Sequence, residues 1–436
     1  MTSFFLKITN FIRKILVKTD LNRNVLTLLT GNILAQAIPV VASPIIARIY
    51  GPEELGLFSL FLAFTGISAL AISFSYEWTI MLPKVEGHAD QLLWTSCIVS
   101  VGMSVILFIT ILIFDEKIAF LVSEPKFKNW LYVIPIATVF SGITQSVGFW
   151  YNRKAAFVKL TQMRILQSVT STIGQIAMGI IKISGGLIWG WLIGLIIYSS
   201  KIIVDIFEEK VPLKKKYQIP LLKKYKKFAL TNTVSNLFNG ASNMGLPIVI
   251  GLLFPLKIVG AFYLANRVIR LPLDMLFRSY GQVYQQKANH LIHTNPKELL
   301  TMTKGLQRKF IKIMIPFLIV TSLISPYIFA FVFGEEWREA GELVKYFSIL
   351  IFFNLIHSPV SSIGVVLRKE KTILIFNIVL SLSQIIGFWI LSKIMMFKYA
   401  LFIVSMVSGS LYYLLDNYML KTLRERALGV DSCLKR

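Results

Sequence analysis

The chain has 436 residues, of which 55% are hydrophobic and 16% charged, with a formal net charge of +24. Its mean hydropathy is +0.67, and apolar stretches of about twenty residues recur from Val25 to Leu420. These stretches exclude a soluble protein and indicate an all-α polytopic membrane protein, and the basic residues that flank them do not indicate nucleic-acid binding.

The predicted elements begin with residues 1–24, a basic amphipathic segment without a cleavable signal pattern. It is predicted to lie on the cytoplasmic membrane surface. About twelve spans follow, predicted at 25–46, 55–78, 92–114, 130–150, 165–181, 187–205, 228–254, 258–278, 313–333, 343–366, 372–391 and 400–420. The two longest hydrophilic segments, 206–227 and 279–312, are too short for a convincing separate domain.

The basic residues are distributed unequally between alternate loops. With the N-terminus inside, the segments on the cytoplasmic side hold 32 Lys and Arg residues, whereas the six opposite loops hold nine. Such a bias sets the topology of inner-membrane proteins. It predicts an inner-membrane protein with twelve spans and cytoplasmic N- and C-termini, because one missed span would invert every later loop.

Span pair one–two resembles span pair seven–eight. The repeated positions are Pro44, Pro52 and Gly56 in the first copy and Pro247, Pro255 and Gly260 in the second. An even number of spans separates the copies, so the sequence predicts two pseudo-symmetric six-helix lobes around a central cavity, which would work by alternating access. The predicted parts are a cytoplasmic segment 1–24, an N-lobe 25–205, a basic cytoplasmic linker 206–227, a C-lobe 228–420 and a cytoplasmic tail 421–436.

Span eight carries Arg267, Arg270, Asp274 and Arg278, whose spacing of 3, 4 and 4 residues places them on one helical face. A cation inside the membrane is costly and generally faces a partner or a water-filled cavity. The three arginines are therefore predicted to bind an anionic substrate, and Asp274 is a candidate for ion coupling. The alternative is salt bridging between helices and snorkelling toward the cytoplasm.

A stripe of asparagines marks one face of span seven. Its spacing of 4, 3 and 4 residues follows the helical repeat, and its members are Asn232, Asn236, Asn239 and Asn243. Such amides can bind sugar hydroxyls in a hydrated cavity or hold helices together. Asn236 and Asn243 are predicted to bind substrate.

Glu77, near the inner end of span two, is the only carboxylate in the first five spans. It is predicted either to bind a coupling ion or substrate hydroxyl, or to pair with Arg153 or Arg164. Three other charged residues are predicted to be interfacial: Arg48, Asp205 and Asp416.

Enzymatic motifs are absent from the sequence. It has no Walker loop, no nucleophile elbow and no metal-ligand spacing, since His290 and His293 lack an acidic or thiol neighbour. We therefore expect a transporter without a metal or organic cofactor rather than an enzyme.

The turn 47–56 (ARIYGPEELG) resembles the first loop of bacterial oligosaccharide-lipid flippases, a family of the multidrug/oligosaccharidyl-lipid/polysaccharide exporter superfamily. Residues 76–84, 260–272 and 333–337 fit as well. The resemblance implies translocation of undecaprenyl-pyrophosphate-linked repeat units of O-antigen, capsule or exopolysaccharide before polymerisation, with contact between Arg267 and pyrophosphate. It implies as partners this lipid-linked oligosaccharide, membrane lipids, and a polymerase and chain-length regulator of the same pathway.

The driving force is left open between proton and sodium gradients. Related lipid II flippases carry a charged pair in span one, where this chain has uncharged Ala42-Ser43-Pro44, so a peptidoglycan role is disfavoured. A drug or cation exporter of the same superfamily would share the fold, although a basic cavity face argues against cationic drugs. An O-antigen polymerase would resemble a protein with one large outward loop, whereas the long segments here are predicted to face inward.

Overall fold

The computed structural model describes residues 20–122, 124–125, 127–367 and 369–428, with side chains from Gly31 onward except at positions that include 241–243 and 274–280. Every regular element of these residues is a helix. The amphipathic segment predicted at 1–24 lies outside the described residues as far as residue 19. The last eight residues of the predicted tail, 429–436, also lie outside them.

The first half of the chain forms nine helices. They are α1 (Asp20–Val41), α2 (Ser43–Ile49), α3 (Pro52–Ala71), α4 (Tyr76–Thr79), α5 (Glu86–Val122), α6 (Phe127–Leu131), α7 (Val133–Arg153), α8 (Phe157–Ile180) and α9 (Gly186–Glu208). The second half forms six longer helices. They are α10 (Lys215–Leu253), α11 (Leu256–Thr294), α12 (Pro296–Phe333), α13 (Arg338–Val366), α14 (Glu370–Ile394) and α15 (Phe397–Ala427), with a 3₁₀ turn at Glu335–Trp337.

Each predicted span overlaps one of these helices, but not every helix is strongly apolar. In the part of the chain that the structure describes, nine helices are long and apolar enough to cross a membrane. The three that fail this criterion are α8, α10 and α11, although α10 ends in the apolar segment Met244–Leu253. The polar stripes predicted on spans seven and eight belong to α10 and α11. Their polar residues are the reason that fewer than twelve described helices meet the criterion of apolarity.

Several helices are much longer than the membrane requires. At 39 residues, α11 is about 58 Å long, whereas the hydrocarbon core is about 30 Å thick. The hydrophilic segment 279–312 is therefore a helical hairpin and not a loop, with Asn295 at its turn. A buried apolar cluster holds the hairpin, and Tyr284 hydrogen-bonds Thr303 at 2.7 Å between the hydroxyl oxygens.

The contacts divide the chain into two compact units. Unit 1 comprises the described parts of Met1–Ile46, Ser68–Phe114 and Leu131–Thr233, and unit 2 those of Ala47–Ile67, Asp115–Trp130 and Val234–Arg436. Unit 2 thus takes in 47–67 and 115–130 besides most of the predicted C-lobe. The two lobes and their boundaries stay a prediction.

In unit 1, α8 and α9 pack at backbone distance because small residues face one another. A Cβ built on Gly190 would lie 2.2 Å from the backbone nitrogen of Gln175, and one built on Gly194 would lie 2.0 Å from Ser171 Oγ. Gln175 Nε2 also donates to the Leu187 carbonyl at 3.1 Å. Small residues and buried amides are the usual means of holding membrane helices together.

In unit 2, α3 and α11 cross through the two glycines of the predicted repeat. A Cβ on Gly56 would lie 2.1 Å from the Leu256 carbonyl oxygen, and one on Gly260 would lie 1.8 Å from that of Pro52. The two contacts are reciprocal, because the repeat position of each copy meets the start of the other copy's helix. Such reciprocity is expected of a local two-fold relation between repeats.

Arg48 closes the end of another helix in unit 2. Its Nε and Nη2 donate to the carbonyls of Val332 and Phe331 at 3.1 and 3.0 Å. These carbonyls belong to the last turn of α12, where intrahelical partners run out and the helix dipole is negative. Arg48 thus has a structural role as a cap on a helix, and its position at the membrane interface stays a prediction.

Candidate functional site

Arg267 is the twelfth residue of α11, at the centre of predicted span eight (258–278), and it is half-buried. Its Nη1 donates to the hydroxyl of Tyr263, one turn earlier, at 2.7 Å, and the guanidinium carbon lies 5.6 Å from the centroid of that ring. The Tyr263 ring packs edge-on against Phe58, with centroids 6.0 Å apart. Among the described side chains no carboxylate forms a salt bridge with Arg267, so its charge is held by an aromatic ring and not by an acid.

Arg270, three residues further along α11, belongs to a second polar group in unit 2. It interacts electrostatically with the hydroxyl of Tyr412 on α15. That hydroxyl accepts a hydrogen bond from Asn354 Nδ2 on α13 at 2.7 Å. The predicted cationic face of α11 therefore continues into buried polar residues of two neighbouring helices.

Asp416 on α15 lies at the centre of this polar group and was predicted to lie at the membrane interface. Asp416 is buried within the protein, with 6% of its surface exposed, and its position at the membrane interface stays a prediction. One carboxylate oxygen lies 2.5 Å from His357 Nδ1 and the other accepts from Gln307 Nε2 at 2.9 Å. The His357 ring also stacks near Tyr412, with centroids 5.0 Å apart. A histidine and a carboxylate in contact can share and release a proton.

Asp205, at the matching end of span six, is buried in unit 1, and its position at the membrane interface also stays a prediction. Tyr151 donates to its carboxylate at 2.9 Å, and Lys159 Nζ lies 3.3 Å from the same oxygen. Glu209, just past the end of α9, accepts from Lys154 at 2.7 Å and from Lys159 at 3.1 Å. Burial raises the pKa of Glu209, but the two lysines outweigh it and lower that pKa below its usual value. This group is a lysine-neutralised structural cluster.

Glu77 is buried on α4, with 4% of its surface exposed. Its carboxylate accepts a hydrogen bond from Ser73 Oγ. The arginines considered as partners bind elsewhere: Arg153 donates to the carbonyls of Ile80 and Pro83, and Arg164 to Asn32. Pairing with these arginines therefore does not describe Glu77, whose role in ion coupling stays a prediction.

Other predicted site residues are only partly described. Asn236 is half-buried on α10 and makes polar contacts. Asn243, Asp274 and Arg278 lie on helical backbone, but their side chains are outside the described set. The structure thus places Arg267, Arg270 and Asn236 in unit 2, and substrate binding by any of the five predicted residues stays a prediction.

The polar partners of Arg267, Arg270 and Asp416 were not predicted from the sequence. Two of them were detectable from helical spacing, since Tyr263 precedes Arg267 by four residues and Tyr412 precedes Asp416 by four. His357 was detectable as the only histidine within a predicted span. The remaining polar partners, Gln307 and Asn354, come from other helices, so only tertiary structure reveals them.

A comparison with models of protein families assigns this chain to a family. A family model described as "Polysaccharide biosynthesis protein" matches residues 45–342. The chain belongs to this family. The match includes the α3–α11 crossing, Arg267 and Arg270, whereas Asp416 lies beyond it. No curated protein matches the chain.

Solved structures show the fold. A lipid II flippase, MurJ, in an inward closed conformation is 17% identical with a TM-score of 0.74, and the alignment covers 92% of this chain and 90% of MurJ. An inward-facing multidrug resistance MATE family transporter of the MOP superfamily is 15% identical with a TM-score of 0.71, covering 89% and 96%. A MOP superfamily transporter from Pyrococcus furiosus is 14% identical with a TM-score of 0.62, covering 95% and 98%. The protein is therefore a multi-pass membrane protein with the MOP-superfamily fold.

Proposed function

We propose that the protein is a flippase that carries undecaprenyl-pyrophosphate-linked oligosaccharide repeat units, for O-antigen, capsule or exopolysaccharide, across the bacterial inner membrane. The family supports a place in polysaccharide biosynthesis, and the fold is shared with a lipid II flippase and with transporters. Both termini face the cytoplasm in this proposal, as the bias of basic residues indicates. Alternating access of two lobes is the proposed mechanism.

One observation carries the choice of an anionic substrate. Arg267 is half-buried at the centre of predicted span eight, and its described polar partner is the neutral hydroxyl of Tyr263. A guanidinium has five N–H donors in a planar fork that matches phosphate oxygens. Tyr263 accepts one of these donors and leaves the others for a ligand or water. We assign pyrophosphate contact to Arg267, with Arg270 and Arg278 supporting it and Asn236 and Asn243 binding sugar hydroxyls.

Energy for transport comes from an ion gradient in this proposal, because the sequence has no ATP-binding loop. Glu77 and Asp274 are the proposed coupling residues, and the choice between proton and sodium is open. Polymerase and chain-length regulator are the proposed partners in the pathway. A lipid II substrate is disfavoured because the span-one stretch Ala42-Ser43-Pro44 is uncharged.

The test is the replacement Arg267→Ala in the chromosomal copy, with surface polysaccharide and membrane protein level measured together. We expect polysaccharide to disappear at normal protein level, while lipid-linked oligosaccharide accumulates on the cytoplasmic face. Tyr263→Phe removes the hydroxyl that positions the guanidinium and should lower the polysaccharide partially. Lys345→Ala is the matched control, because Lys345 is an exposed cation within a predicted span.

Unchanged surface polysaccharide in Arg267→Ala would remove this residue from the mechanism. Normal polysaccharide in a complete deletion strain, combined with loss of efflux of organic compounds, would instead identify a drug exporter. Accumulation of unpolymerised single repeat units on the periplasmic side in that strain would point to a polymerase. The three outcomes differ in which compound accumulates and on which face of the membrane.

A further inference from the structure

Unit 1 contains an apolar groove of about 430 Å³. Its walls come from the junction of α3 and α4 (Phe74 and Tyr76), from the middle of α5 (Gly102 and Met103), and from the start of α10. Two lysines, Lys223 and Lys226, belong to the lining. The lining surface is almost entirely carbon, so the lysines line the groove with their methylene stems and hold their ammonium groups at its edge. The groove thus combines a long apolar floor with a cationic rim.

The wall at α3–α4 is fixed by unusual backbone geometry. Phe74 and Ser75 have backbone φ angles of 47° and 55°, in the left-handed region that residues other than glycine rarely adopt. Tyr76 donates its hydroxyl to the Leu222 carbonyl at 2.9 Å, and Thr233 donates to Ser75 Oγ at 3.2 Å. These two bonds tie the strained junction to α10. Strained backbone that neighbours over-determine is typical of binding sites.

The wall formed by α5 is apolar and exposed, as expected of a surface that faces hydrocarbon. Helix α5 exposes large apolar side chains along the groove and beside it, with Val101 46%, Val105 53% and Ile106 53% exposed. A groove open on such a face is filled from the bilayer and not from water, because leaving apolar surface in contact with water is unfavourable. The Tyr76 hydroxyl is already donated to Leu222, so the described lining offers little to a sugar.

The rim fixes the charge of the occupant. Lys223 and Lys226 are exposed and three residues apart on α10, so both point to the same side of the helix. They belong to the basic segment 206–227, on the side that we propose faces the cytoplasm. The leaflet on that side is rich in anionic phospholipids, and basic pockets between membrane helices bind their head groups.

We propose that this groove is a binding site for an anionic phospholipid of the cytoplasmic leaflet, with one acyl chain along α5 and the phosphate between Lys223 and Lys226. The inference does not rest on the proposed transport substrate. A phospholipid is the favoured occupant because it surrounds the open groove at high concentration, and because the residues assigned to the transported oligosaccharide, such as Arg267, belong to unit 2.

The chain offers matched controls for both parts of the site. For the charge, Lys223→Gln with Lys226→Gln is compared with Lys224→Gln and Lys227→Gln, a pair with equal spacing and exposure on the same helix that does not line the groove. For the apolar floor, Gly102→Phe is compared with Gly87→Phe. A Cβ at either glycine meets no atom within 4 Å, so both variants should fold, but only the first fills the groove.

The measurement is the affinity of the purified full chain for phosphatidylglycerol, titrated into phosphatidylcholine nanodiscs and read by native mass spectrometry. We expect the groove pair to lower affinity by about 30-fold, from the attraction of each lysine for an anionic lipid. The control pair should lower it less than about 3-fold, since peripheral charges are screened. Gly102→Phe should reduce occupancy strongly and Gly87→Phe should not.

Equal losses in the two lysine pairs would overturn the proposal, because the attraction would then be diffuse and not located in a site. Full occupancy in Gly102→Phe would also overturn it. Undecaprenyl phosphate is added as a competitor in a last arm. If it displaces phosphatidylglycerol while excess phosphatidylglycerol fails to displace it, the groove belongs to an isoprenoid chain and the phospholipid assignment is wrong.

Discussion

The crossing of α3 and α11 makes a quantitative prediction about its two glycines. A Cβ on Gly260 would lie 1.8 Å from the Pro52 carbonyl oxygen and one on Gly56 2.1 Å from that of Leu256, whereas real Cβ contacts essentially never fall below 3.0 Å. Gly260→Ala therefore requires a displacement of at least 1.2 Å and Gly56→Ala one of at least 0.9 Å. Both obstacles are backbone atoms, which cannot rotate away as a side chain can.

Overpacking costs about 1–3 kcal/mol, and these substitutions should lie near its upper end, at about 3 kcal/mol for Gly260→Ala and about 2 kcal/mol for Gly56→Ala. The midpoint of thermal unfolding in detergent, followed by tryptophan fluorescence, should fall by about 3 °C in Gly260→Ala. The double variant should lose less than the sum, because separating the helices once relieves both clashes.

The control for this pair is Gly305→Ala on α12, where an added Cβ meets no atom within 4 Å. Alanine favours a helix over glycine by about 1 kcal/mol, so this variant should be neutral or more stable. An unfolding midpoint for Gly260→Ala as high as that of Gly305→Ala would refute the close crossing. Full additivity of the two losses would refute the reciprocal contact.

Three further predictions use the same unfolding assay. Arg48→Ala removes two donors from the carbonyls that end α12 and should cost about 1–2 kcal/mol, so an unchanged midpoint would contradict its capping role. Glu209 has a lowered pKa in the folded state, so its stabilisation is present at neutral pH and is lost as the pH falls through that lowered pKa. Acidification should therefore reduce the wild-type midpoint more steeply than that of Glu209→Gln, and equal slopes would show that Lys154 contributes little. Asp416→Ala leaves His357 without its buried acceptor and should cost about 1–3 kcal/mol more than Asp416→Asn, which keeps an acceptor oxygen; equal losses would contradict the pair.

Apolar runs and periodic charge were enough to predict most of the helical framework. Every predicted span overlaps a helix, because about twenty apolar residues without charge can satisfy their backbone in a bilayer only as a helix. The lengths were not predictable in this way. Helices α11 and α12 continue far beyond their apolar segments, since an internal cluster around Leu299 replaces lipid as the apolar environment. Hydropathy reports the boundary of the membrane and not the end of the helix.

The candidate site was predictable only where its residues lie on one helix. The spacing of Arg267 and Arg270 on α11 predicted a shared face, and in the structure Arg270 lies within electrostatic range of Tyr412. The same reasoning did not predict that Asp416 is buried, because a single sequence does not show which helices cover a carboxylate at the end of an apolar stretch. Here His357 and Gln307 cover it from α13 and α12. A contact between helices leaves no periodic trace in a single sequence.

The composition of three helices connects the fold to the proposed function. Helices α8, α10 and α11 are long enough for spans but are not among the nine described helices that are apolar enough, and Arg267 of α11 lies at the centre of predicted span eight. A charged residue at the centre of a membrane helix costs about 2.5–3.5 kcal/mol when it faces lipid. Tyr263 offers one hydroxyl and a ring face to that charge, which leaves most of the guanidinium donors to be satisfied by other groups. Water, phosphate oxygens or further polar groups of the protein can satisfy them and hydrocarbon cannot, so Arg267 requires a polar or anionic environment. A flippase for a pyrophosphate-linked lipid supplies that environment in every transport cycle.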